Sequence, residues 1–129
     1  MTILTDQDLA LLNEPHLAHV ATIEADGSPH VTPVWVDTDG EHIVFNTAKG
    51  RVKFDNLARN PAVAVSVVDR ANDFRTLWVK GTAELVEEGA EAHIHQLAKK
   101  YLGQDRYPLQ PGEERVIVRI TPTQKLGRG

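Results

Sequence analysis

Cysteine is absent from this chain of 129 residues, and its absence removes several kinds of chemistry together. Disulfide bonds, thiolate metal ligands, iron–sulfur clusters and cysteine nucleophiles are excluded, and the composition suits a reducing compartment. Also missing are an apolar run near the ~18 residues that a membrane helix requires and an N-terminal segment typical of a signal peptide. We therefore expect a soluble, cytoplasmic protein that does not bind a membrane.

Positive charge is missing from the first third of the chain. Residues 1–48 contain eight Asp and Glu residues and no Lys or Arg, whereas residues 49–80 contain seven Lys and Arg residues against three acids. The net charge of −4 disfavours general nucleic-acid binding. The first basic residues are Lys49, Arg51 and Lys53, three within five positions. Such a cluster is either a solvated basic surface or a local anion site.

Several catalytic motifs are missing as well. The sequence has no glycine-rich dinucleotide motif, and Lys49-Gly50 lacks the upstream glycine and the Ser or Thr of a Walker loop. Neither of its serines stands in the Gly-x-Ser-x-Gly motif of hydrolases. The histidines are spaced poorly for a metal, since His93 and His95 on one helix would point to different sides. We expect no metal site and no catalytic nucleophile.

The pattern of turns and apolar segments predicts a mainly β (α+β) chain that forms one domain over residues 1–129. Asp26-Gly27 and Asp39-Gly40 are typical of tight turns and join the first three strands into an antiparallel meander. The predicted strands are 16–23, 30–36, 42–47, 62–68, 76–86 and 115–120, and the predicted helices are a short N-terminal one, 51–59 and 89–101. Six or so antiparallel strands with two to three short helices favour a small β-barrel.

Three details of these elements are specific enough to be checked. The strand 62–68 is almost continuously apolar, so we expect it to be buried on both faces. Gly81 predicts a bulge or bend in a long strand, and Pro122 predicts the end of the last strand. Val52, Phe54 and Leu57 are expected in the core.

Residues 46–61 contain the most informative arrangement of charge. They are predicted to form a strand end, a loop and a helix whose start carries Arg51 and Lys53. Free backbone N–H groups and the positive end of the helix dipole make such a position an anion site. Cations placed there cost up to ~1 kcal/mol each without a bound anion. The placement therefore indicates a bound anion, with a solvated basic surface as the alternative.

At this point the sequence resembles the pyridoxamine-phosphate-oxidase-like split β-barrel family, in particular its deazaflavin (coenzyme F420)-dependent reductases. The resemblance covers nearly the whole chain and rests on residues 19–35 (HVATIEADGSPHVTPVW), 51–63 (RVKFDNLARNPAV) and 78–84 (WVKGTAE). It implies a six- to seven-stranded antiparallel split β-barrel of the FMN-binding type. It also implies a homodimer with cofactor sites at the subunit interface.

The resemblance implies which residues contact the cofactor. They are Thr32, Pro33, Val34 and Trp35 on the strand along the ring, Thr47, Ala48 and Lys49 on the loop around the phosphate and ribityl-like chain, Arg51 and Lys53 as the phosphate-binding pair, and Phe74 and Trp78 from the second subunit. Trp35 and Trp78 are also candidates for ordinary barrel or interface packing.

The activity implied is transfer of a hydride from C5 of reduced F420 to a small organic acceptor. Two alternatives remain: an FMN-dependent oxidase or reductase of the same fold, and a non-catalytic protein that binds a flavin or deazaflavin. F420 carries an acidic tail beyond its phosphate, and FMN does not. Lys49, Arg59, Arg75 and Lys80 are candidates for contacting such a tail, or are simply solvated.

Overall fold

The computed structural model describes residues 2–127. This part of the chain forms three helices and six strands. In chain order they are α1 (Asp6–Asn13), β1 (Leu17–Ile23), β2 (Pro29–Thr38), β3 (Ile43–Ala48), α2 (Val52–Arg59), β4 (Ala62–Asp69), β5 (Asn72–Val86), α3 (Ala90–Leu102) and β6 (Arg115–Lys125). No helix among these residues is long and apolar enough to cross a membrane.

The six strands form a closed antiparallel barrel in the order β1-β2-β3-β6-β5-β4, with β4 pairing back to β1. The predicted barrel with three helices is therefore confirmed. Its interior is filled by apolar residues at alternate positions, among them Val20, Phe45, Val79 and Ile120, which are all at most 1% exposed. The side chains of α1 complete this core from one side, because Leu11 and Leu12 are buried in the same cluster.

The N-terminal helix α1 begins with a side-chain cap, which α2 and α3 do not have. Thr5 is the N-cap of α1 and accepts a hydrogen bond from the Asp8 N–H, while the Asp8 carboxylate accepts one from the Thr5 N–H. This is a capping box, and it satisfies two backbone donors that the helix itself leaves unpaired.

Gly81 lies at a bulge, as predicted. The register between β5 and β6 shifts between Lys80 and Gly81, and a Cβ on Gly81 would lie 2.5 Å from the Thr121 carbonyl oxygen. The expectation for Pro122 is wrong, because β6 continues through it to Lys125. Pro122 sits opposite Gly81, where the irregular pairing tolerates a residue without an N–H.

Two burial expectations also fail. Strand β4 alternates between buried residues such as Val63, Val65 and Val67 and outer residues that are partly or fully exposed, so only one of its faces is in the core. Val52 is 48% exposed on α2, while Leu57 on the same helix is buried. Both errors have one cause. The sequence shows that a side chain is apolar, but it does not show whether another part of the chain covers that side chain.

The barrel wall opens between β2 and β3. These strands pair through Val36, Asp37 and Thr38 with residues 43–45. The earlier part of β2, residues 29–35, is paired with β1, and the end of β3, residues 46–48, is paired with β6. The two segments thus diverge, and their facing sides border a cleft beside the start of α2.

Candidate functional site

The cleft between the diverging strands has a volume of about 180 Å³. Residues from five parts of the chain line it. They are Pro33, Val34 and Trp35 of β2, Asn46 and Thr47 of β3, Arg51 and Lys53 at the start of α2, Ile94 and Leu97 of α3, and Tyr107 and Arg115 before and at the start of β6. The set combines an apolar floor with three cations.

Arg51 and Lys53 reach the cleft from the N-terminus of α2. Arg51 is the N-cap residue, its backbone is extended, and its side chain makes no capping hydrogen bond. The first N–H groups of the helix therefore face outward without a side-chain acceptor. Within residues 2–127, neither Arg51 nor Lys53 makes a side-chain hydrogen bond or an ion pair. Both cations are available to an anion.

Arg115 is the third cation, and it is buried. Its Nε donates to Asn46 Oδ1 at 2.8 Å, and its Nη1 donates to the Glu113 carboxylate at 2.7 Å. The guanidinium also lies over the ring of Tyr107, 5.2 Å from the centroid. We call Arg51, Lys53 and Arg115 the anion cluster.

The pKa values of Lys53 and Glu113 show that positive charge is in excess in this cluster. Its pKa is lowered from the ordinary lysine value, first by partial burial and then by the nearby charges of Arg51 and Arg115. Glu113 is the carboxylate paired with the cluster, and its own pKa is lowered by hydrogen bonds from the Gln110 N–H and from Arg115 and by the charge of Arg51. Three cations against one carboxylate leave an excess of positive charge, which a bound anion would relieve.

Asn46 links the anion cluster to α3. Its Nδ2 donates to the Ala90 carbonyl oxygen at 2.9 Å and lies 3.0 Å from His93 Nδ1. Burial lowers the pKa of His93, which keeps the ring neutral. Since Nδ1 faces an amide donor, the hydrogen-bond network assigns the ring hydrogen to Nε2. The buried amide is thereby oriented with its oxygen toward Arg115.

Thr47 presents a polar group without a partner. It is 2% exposed, and its hydroxyl oxygen makes no hydrogen bond within the described chain. Thr47 lies two positions after the core residue Phe45 on β3, so its side chain belongs to the inner face of the barrel. Thr32 also has a buried hydroxyl without a partner, and its Cα partner in β1 is the core residue Val20, so its side chain belongs to the same inner face.

Six of the residues predicted from the sequence line this cleft: Pro33, Val34, Trp35, Thr47, Arg51 and Lys53. Trp35 is engaged with other aromatic rings, stacking on Tyr101 with centroids 5.4 Å apart and meeting Tyr107 edge-on at 6.1 Å. It therefore packs and lines the cleft at the same time. Packing against other aromatic rings and contact with a cofactor are therefore both compatible with the position of Trp35.

The other predicted residues lie beside or apart from the cleft. Ala48 is buried next to Thr47, and Lys49 pairs with Glu87 at 2.8 Å. Phe74 is 79% exposed near the β4–β5 turn, and Trp78 lies on the outer face of the barrel. Neither aromatic residue lines the cleft of its own chain, so a contact with cofactor requires a second subunit and stays a prediction.

Most of the cations considered for an acidic tail are already engaged. Arg75 pairs with Glu14 and Asp69, and the Arg59 guanidinium donates to the Ile23 carbonyl oxygen and to Asn56. Lys49 is paired as described above. Lys80 is exposed beside an apolar cleft on another part of the barrel. In one chain these residues do not extend the anion cluster.

Sequence reasoning missed Asn46, Tyr107 and Arg115. Asn46 opens the segment 46–61 that carries the basic residues, but nothing in the pattern shows that its amide is buried. Arg115 opens a strand, and its position beside the cleft depends on the pairing of Ala48 with Arg115, 67 positions apart in the chain. Such long-range register has no local signal.

Outside the cleft, Glu14, His16 and Asp69 bring three potential metal ligands within 4.8 Å of one another. Their atoms are already used. The Arg75 guanidinium contacts Glu14 at 2.6 and 3.0 Å and Asp69 at 2.8 Å, and His16 lies between Glu14 and the Arg70 N–H. We call Glu14, His16, Asp69 and Arg75 the hairpin cluster, and each of these side chains contacts another member of the cluster.

The chain is similar to known proteins along almost its whole length. A family model described as pyridoxamine 5'-phosphate oxidase matches residues 4–126. An F420H2-dependent biliverdin reductase of Mycobacterium tuberculosis (strain CDC 1551 / Oshkosh) is 34% identical over 128 residues, which is 98% of this chain and 89% of that protein.

Solved structures show the same similarity. An F420 reductase is 37% identical with a TM-score of 0.78, and the match covers 91% of this chain and 94% of that one. HupZ of Group A Streptococcus is 22% identical with a TM-score of 0.68, over 95% of this chain and 92% of that one. The likeness to HupZ shows the fold alone.

Proposed function

This chain belongs to the pyridoxamine 5'-phosphate oxidase family, and we propose that it is an oxidoreductase that uses coenzyme F420 to reduce an organic acceptor. Two relatives at 34% and 37% identity, named for F420-dependent reduction, support this choice within the family. FMN-dependent chemistry and non-catalytic binding of a flavin or deazaflavin are the competing functions.

The observation that carries the proposal is the unbalanced anion cluster. Arg51 and Lys53 have no ion-pair partner within residues 2–127, and Arg115 is buried beside them. A phosphate offers charged acceptor oxygens to these three side chains and to the first N–H groups of α2, which no side chain caps. The residues present therefore fit the phosphate of F420.

When bound, reduced F420 supplies a hydride, which together with a proton from water reduces one double bond of the acceptor. The protein then has to bind the cofactor, orient it toward the acceptor and keep bulk water away from the reacting atoms. The anion cluster fixes one end of the cofactor, while Pro33, Val34 and Trp35 offer an apolar surface for its ring. No side chain has to form a covalent bond.

The cleft at the anion cluster is by itself too small for the whole cofactor. Sites for molecules of this size usually enclose ~300–1,000 Å³, whereas the cleft measures about 180 Å³. The phosphate end fits this cleft, and the rest of the cofactor extends beyond it. We propose that a second copy of the chain provides the rest of the site.

An outer face of the barrel is suited to bind that copy. The strand register brings Pro33, His19, Ser66 and Trp78 into one row and Val31, Ala21, Ala64 and Lys80 into the next. We call these eight residues the outer face. It is largely apolar and adjoins the cleft through Pro33, and Val31 is 62% exposed. Apolar surface of this kind is typical of a homodimer interface.

Light scattering with Val31→Glu tests the dimer. We expect the wild type to be a dimer at micromolar concentration and Val31→Glu to be a monomer, because a charge would be buried in the interface. Ile3→Glu, at an exposed apolar residue outside the outer face, should remain dimeric. A monomeric wild type that still binds F420 tightly would contradict a two-subunit site.

Fluorescence titration of the protein with F420 and with FMN tests the cofactor. We expect F420 to bind more tightly, and we expect Arg119→Ala, which removes an exposed guanidinium from β6, to leave this affinity unchanged. Tighter binding of FMN would favour the FMN-dependent function over the proposed one. Tight binding of F420 together with failure of every acceptor to oxidise the bound reduced cofactor would support the non-catalytic alternative.

The acceptor and the location of the protein are part of the proposal. Biliverdin, a linear tetrapyrrole, is the first acceptor to assay, because a relative with 34% identity is named for its reduction. A cytoplasmic location accords with a cysteine-free composition.

A further inference from the structure

A second cleft of about 370 Å³ adjoins the first at Trp35, which lines both. It forms where the start of β1, the β4–β5 turn and the end of α3 meet. Its volume lies within the ~300–1,000 Å³ of ordinary small-molecule sites. Apart from Trp35, none of the residues proposed to contact the cofactor lines it.

One wall of the second cleft is flat and aromatic. The rings of Trp35 and Tyr101 stack with their planes 13° apart. Tyr101 is held in place because its hydroxyl donates to the His16 carbonyl oxygen at 2.6 Å. Leu17 and Leu102, which also line the cleft, are 47% and 54% exposed. A rigid aromatic wall flanked by exposed aliphatic side chains suits a planar, conjugated ligand.

Arg70 supplies the charge in this cleft. Its side chain makes one long contact of 3.4 Å to the Pro15 carbonyl oxygen and forms no ion pair with a carboxylate within residues 2–127. Its backbone is fixed, since the N–H donates to His16 Nδ1 at 3.0 Å. Arg75, five positions later, shows the contrast, because two carboxylates occupy its guanidinium. An unpaired guanidinium beside an apolar wall is suited to hold a carboxylate through two parallel hydrogen bonds.

We propose that the second cleft binds the acceptor, and that the acceptor is a planar, conjugated carboxylate held by Arg70. The role as acceptor rests on the proposed function, whereas the preference for a carboxylate does not. Ligands in the two clefts approach each other at Trp35, as a transfer between them requires.

Two matched probes test the charge preference: naphthalene-2-carboxylate and its neutral counterpart naphthalene-2-carboxamide, titrated by calorimetry. The wild type should bind the carboxylate about tenfold more tightly, as a charge-assisted hydrogen bond provides. Arg70→Ala should remove the preference, and Arg70→Glu should invert it. Arg119→Ala, which removes an exposed guanidinium elsewhere, should keep it. Equal binding of both probes by the wild type, or a preference that survives in Arg70→Ala, overturns the proposal.

Titration with F420 separates this inference from the proposed function. Arg70→Ala should bind F420 as the wild type does, and F420 and naphthalene-2-carboxylate should bind together. Competition between them would overturn the acceptor role, because the cofactor itself would then occupy the second cleft. If the wild type fails to bind F420, the proposed function and the acceptor role both fall. The two naphthalene probes still decide the carboxylate site in that case, since their binding needs no cofactor.

Discussion

The anion cluster and the hairpin cluster are two groups of charged residues that differ in whether their charges are paired. In the hairpin cluster, Arg75 lies between two carboxylates, and its hydrogen bonds hold the pKa of Glu14 down at about 2. In the anion cluster, Arg51 and Lys53 have no ion-pair partner within residues 2–127, and the charge of Arg51 lowers the pKa of Glu113 without a hydrogen bond to it. Paired charges stabilise a fold by themselves, whereas unpaired cations at a cleft indicate a missing ligand.

The two clusters also differ in what they connect. The hairpin cluster ties the end of α1 to the β4–β5 turn, which are distant in sequence and close in the fold. The anion cluster surrounds the opening between β2 and β3, where the barrel wall is incomplete. The comparison predicts that substitutions in the hairpin cluster change stability, and that substitutions of the two unpaired cations change ligand binding.

The largest effect is expected at Arg115, which belongs to the anion cluster but is itself paired. Arg115→Met leaves the Glu113 carboxylate and the Asn46 amide oxygen without their donor. Removing one partner of a buried pair costs about 3–5 kcal/mol. We expect about 3 kcal/mol from urea denaturation, because Glu113 keeps a hydrogen bond from the Gln110 N–H.

Arg119→Met, on the same strand, is the matched control. Arg119 is partly exposed and pairs with Glu84 at 3.0 Å, so its loss should cost at most about 1 kcal/mol. Equal costs at the two positions would mean that burial of Arg115 does not matter to stability.

The next effect separates the two clusters by ligand affinity. Arg51→Ala and Lys53→Ala should each weaken F420 binding by about 1.5–3 kcal/mol, because each removes a charge-assisted hydrogen bond to phosphate. Arg75→Ala should leave the affinity unchanged, since its guanidinium is occupied by Glu14 and Asp69. Fluorescence titration measures all three. If Arg75→Ala were the only variant that lost affinity, the roles of the two clusters would be exchanged. Arg75 would then be assigned to the acidic tail of the cofactor.

A smaller effect is expected in acid, and it belongs to the hairpin cluster. Hydrogen bonds from Arg75 and His16 lower the pKa of Glu14 from 4.5 to about 2. The unfolded chain therefore binds this proton more readily, and the stabilisation is present above pH 4.5 and lost as the pH falls through about 2. In Arg75→Ala this loss should be shallower.

Urea midpoints measured from neutral pH down to about pH 2 check this slope. The destabilisation caused by Arg75→Ala at neutral pH should shrink steadily in acid. A constant difference between the two proteins at every pH would show that the bond between Arg75 and Glu14 adds nothing to stability.

What the sequence could predict followed from local rules. Two Asp-Gly turns placed the meander, and the capping box at Thr5 and Asp8 placed α1. Arg51 and Lys53 were found because their position at a helix start is unfavourable without an anion. The partners of these cations could not be found in the same way, because Arg115 reaches the cleft through strand pairing with a distant segment. The exposure of Val52 and of the outer side of β4 likewise depends on surfaces that no local pattern encodes.

The smallest predicted effect has the opposite sign in the free and the bound protein. Arg51 is a cation at the N-terminus of α2, beside Lys53 and near Arg115, and within residues 2–127 it makes no ion pair. Removing it should relieve repulsion with the helix dipole, so Arg51→Ala should raise the free energy of unfolding of the free protein by about 0.3–1 kcal/mol. With saturating F420 the order should invert, because the tighter-binding wild type gains more from the ligand. Thermal unfolding with and without F420 measures both signs, and Arg51→Gln controls for the length of the side chain. Destabilisation of the free protein by Arg51→Ala would show that Arg51 contributes to the fold, as Arg75 does, and the difference between the two clusters would then be lost at this residue.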